Sequence, residues 1–315
     1  MRIFNYIIYN KQQKLKLKPI IKIIIFILFD FFFSSFKKKI QCEVCESNNF
    51  INLKNNLHRI IDKVLYIENN KNLLLSCSNC GTTTQSMKSN NFFNYFFLNF
   101  FYGISMPSLN DKILLNKAKM RARIVNKLTS ENSINLKKIL EISSHDGSTL
   151  IEIKKNFKNL DCYGIEPVKN IAIGSAERFK VLDKKIKCCL VEQYNFSKDN
   201  NKYDVILLSH AFRMINNPNE IIKKLQTVLS DNSLVIVDEG GLFDTTEYNK
   251  EELHRMLLLQ KVNYFSFDSL SYIFEKNGFK ELLREDKIVL EEGSHYNSLI
   301  AFKFTPLEKK KNSIK

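Results

Sequence analysis

Residues 137–155 read "KKILEISSHDGSTLIEIKK". The apolar run from Ile139 to Ile142, interrupted by Glu141, gives way to small polar residues, and after Gly147 the apolar spacing lengthens to that of a helix. A buried strand that turns into a helix through a glycine is the opening unit of an α/β sheet. The chain then repeats the alternation. "DCYGIEP" (161–167), "IKCCLVEQ" (186–193), "YDVILLSH" (203–210) and "NSLVIVDEG" (232–240) read as strands, and "KNIAIGSAERF" (169–179) and "NEIIKKLQTVLS" (219–230) as helices. Near-continuous apolar strands separated by helices predict a parallel sheet covered on both faces. "FSFDSLSYIFEKNG" (265–278) predicts one more helix, and "FKELLREDKIVLEEG" with "SLIAFKF" a closing antiparallel pair.

In such sheets ligands bind beyond the carboxyl ends of the strands, at the point where the strand order reverses. The turn after the first strand therefore faces the binding crevice. A small turn closing on a helix start offers backbone amides to an anionic group. Glu141 is placed to accept from a ligand ammonium, and Glu166, nineteen residues beyond Gly147 at the tip of the next strand, to bridge ribose hydroxyls. One glycine is too few for a pyrophosphate fingerprint. An amino acid carried on a nucleoside, S-adenosylmethionine, satisfies Glu141, the turn and Glu166 together.

"LEISSHDGSTL" with "YGIEPVKNIA" resembles the first two motifs of class I methyltransferases, in the form used by the zinc-binding sugar C-methyltransferase family. "SHAFRMINNPNEIIKKLQTVLSDNSLVIVDEGG" and "NYFSFDSLSYIFEKNGF" are similar to that family's later stretches, and the resemblance runs over residues 42 to 304. It implies a Rossmann-like methyltransferase sheet with an N-terminal four-cysteine zinc module, and S-adenosyl-L-methionine contacts at Glu141, Ser143, Asp146, Gly147 and Glu166. It also implies methyl transfer to a small molecule of the nucleotide-linked sugar kind, by a positioned base.

The match fails where that base should stand. The family's Tyr-His-Glu-His cluster is replaced by Leu258, Leu259, Gln260 and Lys261, and about a hundred further residues that form a substrate lobe in the family are missing. His210, Lys261 and Tyr264 are the catalytic candidates that remain. Two alternatives stay open: a cofactor-binding protein without methyl transfer, and a nucleic-acid methyltransferase.

Cys42 and Cys45, then Cys77 and Cys80, form two C-x-x-C pairs thirty-one residues apart. Two tight turns facing each other complete a tetrahedral thiolate shell for zinc, closed and structural. Gly81 fits the second turn. Thiolate ligands need a reducing compartment, which points to the cytoplasm.

The net charge of +15 is concentrated at the ends: residues 1–40 hold Arg2 and eight lysines against Asp30, and Lys309, Lys310, Lys311 and Lys315 close the chain. Basicity confined to tails argues for solvated ends and against a nucleic-acid partner. The only stretch that approaches a membrane span is residues 19–36, broken by Lys22 and Asp30, which reads as an anchor or a dispensable extension. The organisation expected is therefore an extension (1–40), a zinc module (41–105), a connecting helix (106–130), a methyltransferase domain (131–308) and a basic tail (309–315).

Overall fold

The computed structural model describes residues 6–10, 34–36, 41–62, 65–89, 95, 98–99, 112–178, 185–239, 263–289 and 296–305. Most of residues 1–40, most of the aromatic run 92–102, Lys261 and the basic tail lie outside them. Among the described residues no helix is long and apolar enough to cross a membrane. The chain divides into two compact units.

The first unit collects Met1–Ser105, Arg213–Asn216 and Phe243–Ser269. Its elements are β1 (Tyr6–Asn10), β2 (Ser34–Phe36), β3 (Phe50–Asp62), β4 (Leu65–Cys77), β5 (Thr83–Gln85), β6 (Met87–Ser89) and, much later in sequence, β12 (Asn263–Tyr264). β3 and β4 form a long antiparallel hairpin. β1 and β5 share the other edge of β4, β12 pairs with β5, and β2 pairs with β6. The sequence between the cysteine pairs suggests only short strands. Three register shifts in the hairpin, at Asn52/Lys54, Asn55/Leu57 and Ile60/Asp62, explain why: each bulge breaks the period-two pattern by which a long strand is read.

The second unit holds Met106–Phe212, Asn217–Leu242 and Leu270–Lys315. It comprises α1 (Lys112–Glu131), β7 (Lys138–Ile142), α2 (Ser148–Lys154), β8 (Asp161–Ile165), α3 (Lys169–Arg178), β9 (Ile186–Lys187), β10 (Tyr203–Ser209), α4 (Pro218–Gln226), β11 (Leu229–Glu239), α5 (Phe267–Lys276, whose first turn belongs to the first unit), β13 (Phe279–Val289) and β14 (Tyr296–Phe304). The seven strands lie in the order β13-β14-β11-β10-β7-β8-β9. From β11 to β9 they are parallel, and β14 inserts antiparallel between β11 and β13. This is the doubly wound, Rossmann-like sheet that the alternation predicts, with its reversal between β7 and β10.

Only Ile186 and Lys187 of "IKCCLVEQ" are strand; Val191–Gln193 form a 3-10 turn. A two-residue edge strand has no outer partner, so little holds the following residues extended.

The face of the sheet toward α1 and α2 shows how the site is positioned. Ile139 on β7, Val205 and Leu207 on β10, and Leu234 and Ile236 on β11 are buried against Met120, Val125, Leu128, Leu150 and Ile153. Side chains on one strand face repeat every second residue. The next positions on this face are Glu141, Ser209 and Asp238, so three apolar rows each end in a polar group at the carboxyl edge. On the other face Phe274 stacks on Phe302, with ring centroids 4.2 Å apart, and meets Phe279 edge-on. The alternating burial fixes register, because a one-residue slip would carry Glu141 to the opposite face.

Candidate active site

The turn after β7 is built by left-handed backbone at alternate positions: Ser143 (φ 62), His145 (φ 49) and Gly147 (φ 75). Only Gly147 takes that conformation without a steric penalty. The turn is sewn to the tip of β8. The amides of Ser143 and Ser144 both donate to Ile165 O, and that of His145 donates to Glu166 Oε2 at 2.9 Å. Gly147 N donates to Ser144 O, and Ser148 N to Asp146 Oδ1.

These bonds correct one expectation. The amides of Ser143, Ser144, His145, Gly147 and Ser148, suggested as anion donors, are spent on acceptors in the turn and on β8, and α2 spans only seven residues. What the turn leaves over is hydroxyl: Ser144 Oγ is buried without a hydrogen-bond partner.

Glu166 holds the turn from the other side. Its Oε1 accepts from Val168 N at 2.8 Å while Oε2 accepts from His145, and burial, only partly opposed by those amides, raises its pKa above the usual carboxylate range. Each carboxylate oxygen can accept two hydrogen bonds and here accepts one, so one lone pair on each stays available. Gly164 makes the arrangement possible. A Cβ there would lie 2.6 Å from Ser144 Oγ and 2.9 Å from Ser144 Cβ.

Glu141 is fully buried, at 0% exposure. Ser209 Oγ donates to its Oε1 at 2.6 Å, and Oε2 has no hydrogen-bond partner. Burial pushes its pKa up to about 7, against the opposing pull of Arg121 and Ser209. Asp146 moves the other way. Burial works against its charge, but the adjacent His145 ring and the Ser148 hydrogen bonds bring it below the usual value.

Arg121, from α1, was not singled out by sequence reasoning. Its Nε donates to Asp238 Oδ2 at 2.5 Å, its Nη1 to Thr149 Oγ1 at 3.3 Å, and Nη1 stands 3.8 Å from Glu141 Oε1. One signal pointed to it: Arg121 falls three residues after Ala118 and four before Val125, on the apolar stripe of an amphipathic helix. A charged residue on that stripe needs a buried partner.

The catalytic candidates are not brought together by what the structure describes. His210 follows β10 with φ 52; its amide donates to Asp238 O, and Lys117 Nζ lies 3.3 Å from its Nε2. A charged lysine there donates to an unprotonated Nε2, which leaves the proton on Nδ1. Tyr264 is buried on β12, opposite Thr83 in the first unit, while His210 belongs to the second. Lys261 lies outside the described residues.

The four cysteines do converge. Sγ atoms of Cys42 and Cys80 are 3.5 Å apart, those of Cys45 and Cys77 are 3.4 Å apart, and all four lie within 4.8 Å of one another. The two turns are alike. In each, the residue after the second cysteine is left-handed (Glu46, φ 64; Gly81, φ 72) and its amide donates to the carbonyl of the first. Cys77 N and Cys42 N likewise donate to Thr82 O and Ser47 O. The Cys42 contact pulls Cys80 down to about 5, while that contact and burial push Cys42 up.

Among solved structures, the chain is similar to the plantazolicin methyltransferase BpumL in complex with a pentazolic desmethylPZN analogue and SAH (14% identity, TM-score 0.48, 61% of this chain and 86% of that one). It is similar to an S-adenosylmethionine-dependent methyltransferase from Clostridium acetobutylicum (10%, TM-score 0.46, 60% and 92%). It also resembles the mitomycin 7-O-methyltransferase MmcR (15%, TM-score 0.48, 65% of this chain), of which it spans only 57%. No curated protein matches it. Residues 116–283, more than half of the 315, match the family model described as a methyltransferase domain. The chain belongs to this methyltransferase-domain family, whose reaction is methyl transfer from S-adenosylmethionine.

Proposed function

We propose that the protein binds S-adenosylmethionine between the tips of β7 and β8 and passes its methyl group to a small molecule of the nucleotide-linked sugar class. The observation that carries the cofactor reading is Glu141 Oε2, a buried carboxylate oxygen without a partner beside the turn. An ammonium group supplies what it lacks, since a buried acceptor left unpaired is costly. Glu166 retains lone pairs for ribose hydroxyls, and Ser143, Asp146 and Gly147 shape the turn between the two acids. When bound, the cofactor supplies an electrophilic methyl on a sulfonium; the protein's part is to hold donor and acceptor in line.

His210, held by Lys117, is suited to orienting the acceptor, with Lys261 and Tyr264 as the further acceptor-side candidates. The acceptor class rests on the sugar C-methyltransferase resemblance. The replacement of that family's cluster by Gln260 and Lys261 favours a second reading, cofactor binding without turnover.

For the cysteines we infer one structural zinc. With Zn–S bonds of about 2.3 Å, a tetrahedral site needs sulfurs about 3.8 Å apart, and the observed sulfurs sit close to that spacing. Four reduced thiolates fit a cytoplasmic protein.

Calorimetric titration of the full chain with S-adenosylmethionine and S-adenosylhomocysteine tests the cofactor reading. Tight binding that is lost in Glu166→Ala supports it, and no binding of either overturns it. Methyl transfer from labelled cofactor to 4-keto sugar nucleotides then separates enzyme from binder.

A further inference from the structure

We propose that Arg121 is a positioning residue for the cofactor's cationic end: anchored on Asp238 and Thr149, it steadies one oxygen of Glu141 and leaves the other to receive an ammonium group. The inference rests on the cofactor reading above and deepens it, from which residues meet the ligand to what sets their charge.

The geometry is uneven in an informative way. Arg121 spends its short contact on Asp238, at 2.5 Å, and stands off from Glu141 at 3.8 Å. All three side chains are almost wholly buried, at 9%, 0% and 1% exposure for Arg121, Asp238 and Glu141. Glu239, at 2% exposure, adds a further carboxylate at the same strand tip. One guanidinium thus lies among three buried acids and gives its short contact to Asp238, so Glu141 is only partly served and an ammonium group beside it completes the pairing. The anchors come from three elements: Arg121 from α1, Thr149 from α2 and Asp238 from β11. The donor's position is therefore set by packing, not by one flexible side chain.

The groups that act on Glu141 are Arg121 from α1, Ser209 from β10, Thr149 from α2 and Asp146 from the turn, while Asp238 and Glu239 of β11 act on Arg121. Burial and Asp146 oppose its charged form; Arg121, Ser209 and Thr149 favour it. Asp238 acts at one remove, because it draws the guanidinium away. Two variants should therefore shift Glu141 in opposite directions. Arg121→Gln removes the cation, so Glu141 ionises at higher pH. Asp238→Asn releases the cation toward Glu141, which then ionises at lower pH. A merely structural role for Arg121 does not produce shifts of opposite sign.

The test is titration of the full chain with S-adenosylhomocysteine, which carries the same ammonium, from about pH 5.5 to about pH 8.5. Wild-type affinity should rise with pH through a midpoint near 7. In Arg121→Gln the midpoint should move up by about one unit, about tenfold weaker binding at neutral pH; in Asp238→Asn it should move down. Arg121→Lys, which keeps the charge, should stay near wild type. If Arg121→Gln fails to fold, Asp238→Asn and Arg121→Lys decide. Unmoved midpoints in variants that fold and bind overturn the inference alone. A wild type that binds no S-adenosylhomocysteine at any pH overturns the cofactor reading, and this inference with it.

Discussion

Gly164 is where one missing methyl group has the largest consequence. A side chain of any size there meets Ser144, itself 2% exposed and fixed by its amide to Ile165 O. Neither partner has room to yield. Gly164→Ala should cost about 1–3 kcal/mol of stability by denaturant titration, and should weaken S-adenosylhomocysteine binding more than that loss alone explains. The turn's two strained positions point the other way. Ser143→Gly and His145→Asn should each raise stability by up to about 1 kcal/mol, since both replacements tolerate left-handed backbone.

Glu141 links stability to pH. Its ordinary value of 4.5 is raised to about 7 in the folded protein, so between those values the folded chain holds a proton that the unfolded chain has released. That contribution is fully present below about 4.5 and is lost as pH rises through about 7. The melting temperature of the ligand-free protein should fall across this window. In Glu141→Gln that part of the slope should vanish.

The residues that bring β7 and β8 together were legible in the sequence because each is an exception to its surroundings: Glu141 in an apolar run, Glu166 at a strand tip, Gly147 before a helix. Arg121, Ser209 and Asp238 were not. Each looks ordinary in its own segment, and their meaning arises only when register sets three strand tips side by side beneath α1.

At the level of elements, the cysteine turns hold the sharpest prediction. Each depends on one left-handed residue and a few backbone bonds, and thirteen-residue strands with three bulges give little further support. Metal should supply the missing free energy, on the order of 10–16 kcal/mol for comparable sites. One zinc per chain is expected by elemental analysis. Chelation, or Cys42→Ser, should abolish it and remove strand signal from the circular dichroism spectrum. Zinc-replete Cys42→Ser with unchanged strand content would contradict this. Sulfur spacing and Gly81 were legible before the fold was known but Glu46 was not, because a non-glycine in left-handed backbone carries no compositional mark. The helix read as a connector, α1, packs Met120, Ile124, Val125 and Leu128 into the same core as the sheet.

Taken whole, the molecule has two compact units, and the functions proposed above give each its own stabilising ligand, zinc for one and S-adenosylmethionine for the other. A ligand raises the stability only of what it binds when folded. Differential scanning calorimetry should therefore show chelator shifting one component of the unfolding profile and S-adenosylhomocysteine another. A single transition moved equally by both would show that the units melt as one. The alternation of strands and helices revealed the sheet because each apolar run is local. The composition of the first unit was less legible, because Asn263 and Tyr264 join it from nearly two hundred residues away in sequence.

The placement of β14 bears on how the protein is made. This strand fills an interior slot between β11 and β13, both synthesised earlier. Until the ribosome has delivered it, β11 presents an open apolar edge to the cell. Assembly of the sheet must then wait until Tyr296–Phe304 has been made, and a premature stop before Tyr296 would leave a product with β13 cut off from β11, a natural client for chaperones.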